Sequence, residues 1–200
     1  MSEMKVIDLS AWQEDVNWQM LIDEKIEGVI LKLGERDSLD EMFVDHVNNA
    51  VEYGLKYGVY YYAHASSEAE ARIEAEFVDK QIRIYLNGKN PELGIWYDAE
   101  DDAMKEGDVT ATCNAFICAL NEKCYTYVGI YSSYNWLSNG IINVSLLAEY
   151  VPYWVAQYYH TNDFKEDNPS KIVRIWQYTD HYSDDLPYDC NVYYREDHDE

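Results

Sequence analysis

Gly58-Val59-Tyr60-Tyr61-Tyr62-Ala63 and Gly94-Ile95-Trp96-Tyr97-Asp98 are the two stretches of sequence that decide the fold. Each is a short, nearly continuous apolar run, which is typical of a strand buried on both faces. Between them, Ser67 and Glu70 form a capping box that predicts the start of a long helix. A buried strand, a helix and a second buried strand together indicate a parallel βαβ unit.

The same alternation of strand and helix patterns extends along the chain. Further strands are predicted at residues 5–9, 28–33, 126–131, 153–156, 172–176 and 191–193. Helices are predicted at residues 18–25, from a second capping box at Ser38 and Glu41 to Gly54, and along the stripe Val109, Cys113, Phe116, Ile117 and Leu120. On the helix after Ser67, the apolar face is predicted at Ala69, Ile73 and Phe77.

Eight predicted strands in 200 residues indicate an α/β fold closed into a barrel. The chain is shorter than the ~250 residues typical of a full (β/α)8 barrel, and the part after Tyr131 is poor in long periodic helices. We therefore expect an irregular TIM-like barrel with eight strands and fewer than eight helices. It should form a single domain over residues 1–200, with a core at about 5–194.

The charge balance and the length of the apolar runs exclude two classes of partner. The chain has 15 basic and 38 acidic residues, a formal net charge of -23 and no cluster of Lys and Arg that would neutralise nucleic-acid phosphates. Its longest apolar runs fall far short of the roughly 20 residues that span a bilayer. We therefore expect neither nucleic-acid binding nor membrane insertion.

The N-terminal segment MSEMKVIDLS leads directly into a predicted strand. It lacks the basic region, apolar core and cleavage site of a secretory signal. Any export would then use another route, or a signal has been removed.

The cysteines and histidines do not indicate a metal site. Cys113, Cys118, Cys124 and Cys190 lack C-x-x-C spacing, and we expect reduced, structural thiols because free cysteine is usually buried. The histidines are isolated or lack paired ligand spacing; they are His46, His64, His160, His181 and His198. We predict no metal and no cofactor.

Polar residues at strand ends are the candidates for chemistry, because a parallel barrel builds its active site at the carboxyl ends of its strands. They are Asp8, Glu35, Tyr60, Tyr62, Asp98, Glu100, Gln177 and Asp189. Asp98 and Glu100 should point the same way, with Cα atoms about 6.6 Å apart. Two crowded carboxylates repel, which raises the proton affinity of one and gives the acid and anion pair that cleaves a glycosidic bond.

Two other interpretations of the run Asp98-Ala99-Glu100-Asp101-Asp102 remain open. In a chain with 38 acidic residues, carboxylates two positions apart arise by chance, and the run could be a solvated turn. It could also bind Ca²⁺, although it lacks the glycine and spaced oxygen ligands of an EF-hand loop. The catalytic interpretation is favoured because several strand ends carry carboxylates that a barrel would bring together.

The order of these residues along the chain resembles a known family. The motifs that carry the resemblance are Ile7-Asp8-Leu9-Ser10, Trp12-Gln13, Val16-Asn17-Trp18, Leu31-Lys32 with Glu35, Gly58-Val59-Tyr60-Tyr61-Tyr62-Ala63, Trp96-Tyr97-Asp98-Ala99-Glu100, Ile130-Tyr131-Ser132, Trp154-Val155-Ala156-Gln157-Tyr158, Ile175-Trp176-Gln177-Tyr178 and Asp189-Cys190-Asn191-Val192. Each motif alone is weak. Their shared order and spacing, from Val6 to about Tyr193, are similar to those of the glycoside hydrolase family 25 lysozymes.

The resemblance implies an irregular, flattened β/α barrel that forms a β-1,4-N-acetylmuramidase acting on bacterial peptidoglycan. By motif, Glu100 would be the catalytic acid and Asp98 its partner, with Asp8 and Asp189 completing an acidic cluster. The expected substrate-binding residues are Tyr62, Trp154, Gln177, Glu35 and Tyr60. The resemblance leaves open whether Asp98 acts directly or orients the N-acetyl group of the substrate.

Two positions depart from the family pattern. The family's Lys-x-Thr-Glu-Gly reads here Lys32-Leu33-Gly34-Glu35-Arg36, so the resemblance does not fix the conformation of this loop or the role of Glu35. Cys190 stands where the family usually has an apolar or aromatic residue, and we expect it to pack in the core.

Two alternatives to a peptidoglycan muramidase remain. One is a non-catalytic sugar-binding barrel, against which the four intact carboxylates argue. The other is a glycosidase acting on another N-acetylated polymer such as chitin, which shares the same carboxylates and is separated only by substrate trials. As a muramidase, the protein would be a monomer that acts on the bacterial cell wall, secreted or released without a recognisable signal peptide.

Overall fold

Nine strands occur among residues 3–195, which are the residues that the computed structural model describes. They are β1 (Glu3–Leu9), β2 (Gly28–Glu35), β3 (Ser38–Leu39), β4 (Lys56–Tyr62), β5 (Ile95–Asp98), β6 (Val128–Ser133), β7 (Pro152–Ala156), β8 (Ile172–Thr179) and β9 (Asp189–Tyr194). Residues 1–2 and 196–200 of the predicted domain, including His198, lie outside the described residues.

Six α-helices lie between the strands of this part of the chain. They are α1 (Trp18–Asp23), α2 (Phe43–Glu52), α3 (Glu68–Tyr85), α4 (Val109–Asn121), α5 (Tyr134–Ser138) and α6 (Asp163–Asp167), and a 3-10 helix spans Asp102–Glu106. The two helices after Tyr131 are five residues each, as the lack of periodic pattern there predicted. None of the described helices is both long enough and apolar enough to cross a membrane.

The barrel closes in the order β1-β2-β4-β5-β6-β7-β8-β9, with β9 hydrogen-bonded back to β1. This confirms the predicted eight-stranded barrel with fewer than eight helices. Each neighbouring pair from β1 round to β8 is parallel, whereas β9 is antiparallel to both β8 and β1. Because β9 is reversed, its first residue, Asp189, pairs with Asp8 near the end of β1.

Aromatic rings fill the inside of the barrel. The rings of Trp96 and Trp154 are almost fully buried and meet edge to face, with centroids 5.9 Å apart. Tyr127 packs 5.7 Å from Trp96 on one side, and Tyr131 packs 4.5 Å from Trp154 on the other. Gly129 permits this filling, because a Cβ there would lie 2.5 Å from the Trp96 ring. Trp96 is therefore a core residue, as its apolar strand predicted.

A second core lies between the barrel and its outer helices. The predicted stripe on α4 is buried in full. The predicted face of α3 is confirmed only at Phe77, which packs against the core. Ala69 is exposed and Ile73 is 69% exposed, and the fully buried apolar residues of α3 are Ala71, Ala75, Val78 and Ile82. The reason is that the Glu74 carboxylate lies on the buried face, where it accepts N–H groups of His64 and Ala65 and the hydroxyl of Tyr97.

The two capping boxes have different outcomes. The Ser67 box is confirmed, since the Ser67 hydroxyl accepts the Glu70 N–H at the start of α3. The Ser38 box is wrong, because Ser38 belongs to β3, which pairs with the end of β2 in a tight hairpin. A Cβ on Gly34 would lie 2.2 Å from the Ser38 carbonyl oxygen, so only glycine allows this close approach.

The four cysteines, all within the described residues, are unbridged. Cys113 and Cys190 are buried, as expected. Cys118 is half-buried and Cys124 is exposed, so the expected burial fails for these two.

We predict that dithiothreitol leaves the melting temperature of the protein unchanged in differential scanning calorimetry. A disulfide typically contributes about 2–4 kcal/mol, and each 1 kcal/mol moves the melting temperature of a domain of this size by roughly 2–4 °C. A fall of roughly 5 °C or more in reductant would therefore show that a bridge stabilises the fold.

Candidate active site

A cleft of about 210 Å³ opens at the carboxyl ends of the parallel strands. The residues that line it are Asp8, Ser10, Trp12, Lys32, Tyr60, Tyr62, Asp98, Glu100, Tyr131, Trp154, Gln177 and Asp189. A second hollow of about 370 Å³ adjoins it and shares Glu100 and Tyr131. Glu100 therefore stands at the boundary between two hollows.

All the predicted site residues except Glu35 line this cleft. Four further residues line the cleft but were not predicted as site residues; they are Ser10, Trp12, Lys32 and Tyr131. A signal for Lys32 was available, because it is the one charged residue in the predicted strand 28–33. A charge inside a buried strand needs a polar environment, and here that environment is the cleft.

Asp98 is the last residue of β5 and is only 5% exposed. Burial, together with the negative charges of Glu100 and Asp8, raises the pKa of its carboxyl group well above the usual range. Within residues 3–195, nothing donates a hydrogen bond to its Oδ1 atom. A buried oxygen without a partner costs about 1–3 kcal/mol, so this atom is poised to accept a donor from a ligand.

Glu100 lies two residues beyond Asp98, past the end of β5, and is exposed to the cleft. Neighbouring protein atoms keep water away from part of its carboxyl group, which raises the pKa of that group. The negative charge of Asp189 raises this pKa further. A carboxyl group that keeps its proton closer to neutral pH and is open to the cleft can act as a general acid.

The amide of Gln177 holds the other two carboxylates. Its Nε2 atom donates to Asp8 Oδ2 and to Asp189 Oδ2, both at 3.0 Å. Its Oε1 atom accepts the hydroxyl groups of Tyr131 at 3.0 Å and Tyr158 at 3.3 Å. Gln177 is 1% exposed and both its N–H groups are engaged, so it supports the acidic residues from beneath the cleft.

A second buried amide completes this support. Asn191 Nδ2 donates to Asp8 Oδ2 at 2.8 Å, and Asn191 Oδ1 accepts the indole N–H of Trp154 at 2.7 Å. Burial, then the charge of Asp189, still raises the pKa of Asp8 well above the usual range, although the two amides oppose this. Burial also raises the pKa of Asp189, so each of the two carboxyl groups holds its proton more readily than it would in water.

Glu35 lies on the rim, where His64 joins it to Asp101. His64 Nε2 is 3.0 Å from Glu35 Oε2, and His64 Nδ1 is 2.5 Å from Asp101 Oδ2. Only a protonated imidazole has N–H groups for both carboxylates. His64 is isolated along the sequence, and the fold brings it to these two carboxylates, which are 29 and 37 residues away along the chain.

At the end of β2, Glu35 takes part in this rim contact, and Arg36 follows it in a left-handed backbone conformation. Partial burial raises the pKa of Glu35, but the hydrogen bond from His64 and the nearby Lys32 ammonium lower it overall. Arg36, which stands where the family has glycine, adopts a left-handed φ of 53°.

Of the described side chains, no three from His, Cys, Asp and Glu are grouped in a way that would hold a metal ion.

The closed barrel and the paired carboxylates at its carboxyl-terminal end are the architecture of a glycoside hydrolase. The model of the glycosyl hydrolases family 25 matches residues 7–185, so the chain belongs to that family.

Similar proteins cover nearly all of this chain. The uncharacterized protein YegX of Escherichia coli (strain K12) is 27% identical over 202 residues, which cover 94% of this chain and 68% of YegX. The modular autolysin LytC from Streptococcus pneumoniae superposes with a TM-score of 0.79 at 26% identity. The match covers 96% of this chain and 47% of LytC, so the chain spans about half the length of that autolysin. The catalytic domain of endolysin ply40, from bacteriophage P40 of Listeria monocytogenes, gives a TM-score of 0.78 at 24% identity, over 96% of this chain and 94% of ply40.

We predict that His64→Leu destabilises the protein by about 1–3 kcal/mol in urea denaturation at pH 6, because it leaves two carboxylates without their shared donor. The matched control is His181→Leu, since His181 is 52% exposed and has a single 3.4 Å contact with Asp184. This control should change stability by less than about 0.5 kcal/mol. Equal effects of the two substitutions would contradict a special role for the rim histidine.

Proposed function

We propose that the protein is a lysozyme that cleaves the β-1,4 bond between N-acetylmuramic acid and N-acetylglucosamine in bacterial peptidoglycan. The observation that carries the proposal is the unpartnered Oδ1 of buried Asp98 in the same cleft as the more exposed acid Glu100. Family membership supports glycoside hydrolysis. The similar autolysin LytC has been solved in complex with a synthetic peptidoglycan ligand, which supports this choice of polymer.

In this proposal Glu100 donates a proton to the oxygen of the leaving sugar. Its raised pKa keeps the proton available, and its position between the two hollows puts it where a chain lying across both would be cut.

Asp98 has the complementary role. Burial and neighbouring negative charge favour its protonated form. An amide N–H from the substrate's N-acetyl group would pair with Oδ1 and stabilise the anion instead. Asp98 would then hold this group as an internal nucleophile, or offset the positive charge that develops on the sugar.

The remaining cleft residues would bind and shield the sugar. Tyr60 and Tyr62 offer rings whose faces suit a sugar and whose hydroxyls suit its edges. Trp154 is 2% exposed, so it would form the floor beneath the sugar, fixed by its hydrogen bond to Asn191. Glu35 would act at one remove, through Lys32 and His64.

The site of action in this proposal is the cell wall, reached by secretion or release. The protein would act as a monomer and without a cofactor.

Digestion of purified peptidoglycan should release glycan fragments with N-acetylmuramic acid at the new reducing end, because the bond that breaks is the one from its anomeric carbon to the glycosidic oxygen. The protonated oxygen leaves with N-acetylglucosamine, and water adds to the anomeric carbon. Borohydride reduction followed by mass spectrometry identifies the end. Fragments that end in N-acetylglucosamine, or cut peptides alone, would overturn the bond assignment. Faster cleavage of chitin oligomers than of peptidoglycan would instead favour the chitinase alternative, and no cleavage of either polymer would favour a sugar-binding barrel.

Glu100→Gln should lower activity on peptidoglycan by about 10²–10⁴-fold, the usual contribution of a general acid. Part of the activity should return on an aryl glycoside, whose leaving group needs no proton. Asp98→Asn should be impaired on both substrates.

The matched control for these two substitutions is Glu122→Gln, which changes a carboxylate that is 66% exposed and remote from the cleft. Its activity should equal that of the unmodified chain. If Asp98→Asn is the variant that the activated substrate restores, the two roles are reversed.

A further inference from the structure

A further cavity, of about 430 Å³, lies at the opposite end of the barrel from the cleft and its adjoining hollow. Its lining comes from the starts of the parallel strands, including Met4, Lys56, Pro152 and Ile172, and from the end of the reversed strand β9. Trp96 and Trp154 fill the barrel between this cavity and the cleft. This cavity and the cleft are therefore separate sites, and the cavity has no part in the proposed hydrolysis.

Positive charge dominates the lining. Lys56, Arg174 and Arg195 line the cavity, and Glu92 is the one acidic residue among the lining residues. The chain as a whole has 38 acidic residues against 15 basic ones, so a basic cavity is the reverse of the general pattern. Arg195 pairs through its Nη2 atom with Glu27, which is outside the lining, but its buried Nε donates to no other residue within 3–195. Such a lining attracts an anion.

Aromatic groups form the rest of the wall. Tyr127 and Tyr193 join through their hydroxyls at 3.0 Å, and Tyr150 is 60% exposed beside them. Flat rings with a polar edge suit the face of a sugar ring and its hydroxyl groups. Thr126 and Glu92 add polar groups that can pair with further hydroxyls. The volume lies within the range of small-molecule sites.

We propose that this cavity binds an anionic sugar, meaning a saccharide unit that bears a carboxylate or a phosphate. The guanidinium groups of Arg174 and Arg195 and the Lys56 ammonium would hold the anion, and the tyrosine rings would pack against the sugar. The site does not depend on which bond the cleft cuts, so it stands or falls separately from the muramidase proposal.

The test is chemical-shift mapping by NMR on the full ¹⁵N-labelled chain. N-acetylmuramic acid and glucose 6-phosphate should each shift the amides of Thr126, Tyr127, Ile172 and Tyr193, at concentrations up to about 10 mM. N-acetylglucosamine, which lacks the carboxylate, is the matched neutral probe and should leave these amides unmoved. Inorganic phosphate alone should bind more weakly than the sugar phosphate.

Arg174→Gln should weaken binding of both anionic sugars by about tenfold or more, because a charge-assisted contact is lost. Arg72→Gln is the matched control, since Arg72 pairs with Glu122 on the outer surface. Both variants should retain the cleft's activity. Lys56→Gln, at the exposed first position of β4, gives the same test if Arg174→Gln fails to fold.

Several results would overturn the proposal. They are shifts confined to cleft amides such as those of Asp8 and Glu100, equal shifts with the neutral sugar, equal affinity for inorganic phosphate, or no shift at all. A shift with only one of the two anionic sugars would keep the site and identify its anion as carboxylate or phosphate.

Discussion

The reversal of strand β9 is the constraint on which both ends of this barrel depend. In a fully parallel barrel the first residue of the last strand would lie at the end away from the cleft. Because β9 runs antiparallel to β8 and β1, Asp189 instead pairs with Asp8 at the end that carries the cleft. Two acidic groups this close together are stabilised by buried amides: Gln177 donates a hydrogen bond to each of them, and Asn191 donates another to Asp8. The acidic cluster is therefore a product of strand direction and of two amides.

The carboxyl groups of the cleft destabilise the fold when they are ionised. The pKa values of Asp8, Asp98, Glu100 and Asp189 are all raised, so the folded protein binds their protons more tightly than the unfolded chain does. Their contribution to stability is accordingly greatest below the ordinary carboxyl pKa and is lost as the pH rises through the raised values. Glu35 and Asp101 have lowered pKa values, so their contribution is present at higher pH and is lost on acidification. Near neutral pH, the stabilisation from Glu35 and Asp101 therefore offsets part of the destabilisation from the ionised carboxyl groups of the cleft.

The sequence predicts most of the barrel, because its strands are short, nearly continuous apolar runs that alternate with helical patterns. It also predicts where Asp98 and Glu100 lie, since strand ends meet at one edge whatever the details of packing. The face of α3 could not be predicted, because Glu74 is buried and its partners Tyr97 and His64 are distant in sequence. The hairpin at Ser38 was missed for a related reason: a capping box and a two-residue strand share the same short polar pattern, and only pairing with β2 decides between them. His64 shows the same limit, since its two carboxylate partners are brought to it by the barrel.

The same reversal of β9 gives the barrel opposite charges at its two ends. A strand that begins with Asp189 in the cleft must finish at the other end, and there Tyr193 and the following Arg195 line the basic cavity. The buried rings of Trp96 and Trp154 fill the interior between the two ends. An acidic hollow and a basic hollow can then coexist on one small barrel, each with its own ligand chemistry. In a chain with a net charge of -23, a cavity lined by Lys56, Arg174 and Arg195 reverses the general sign of charge, which is why we propose an anionic ligand there.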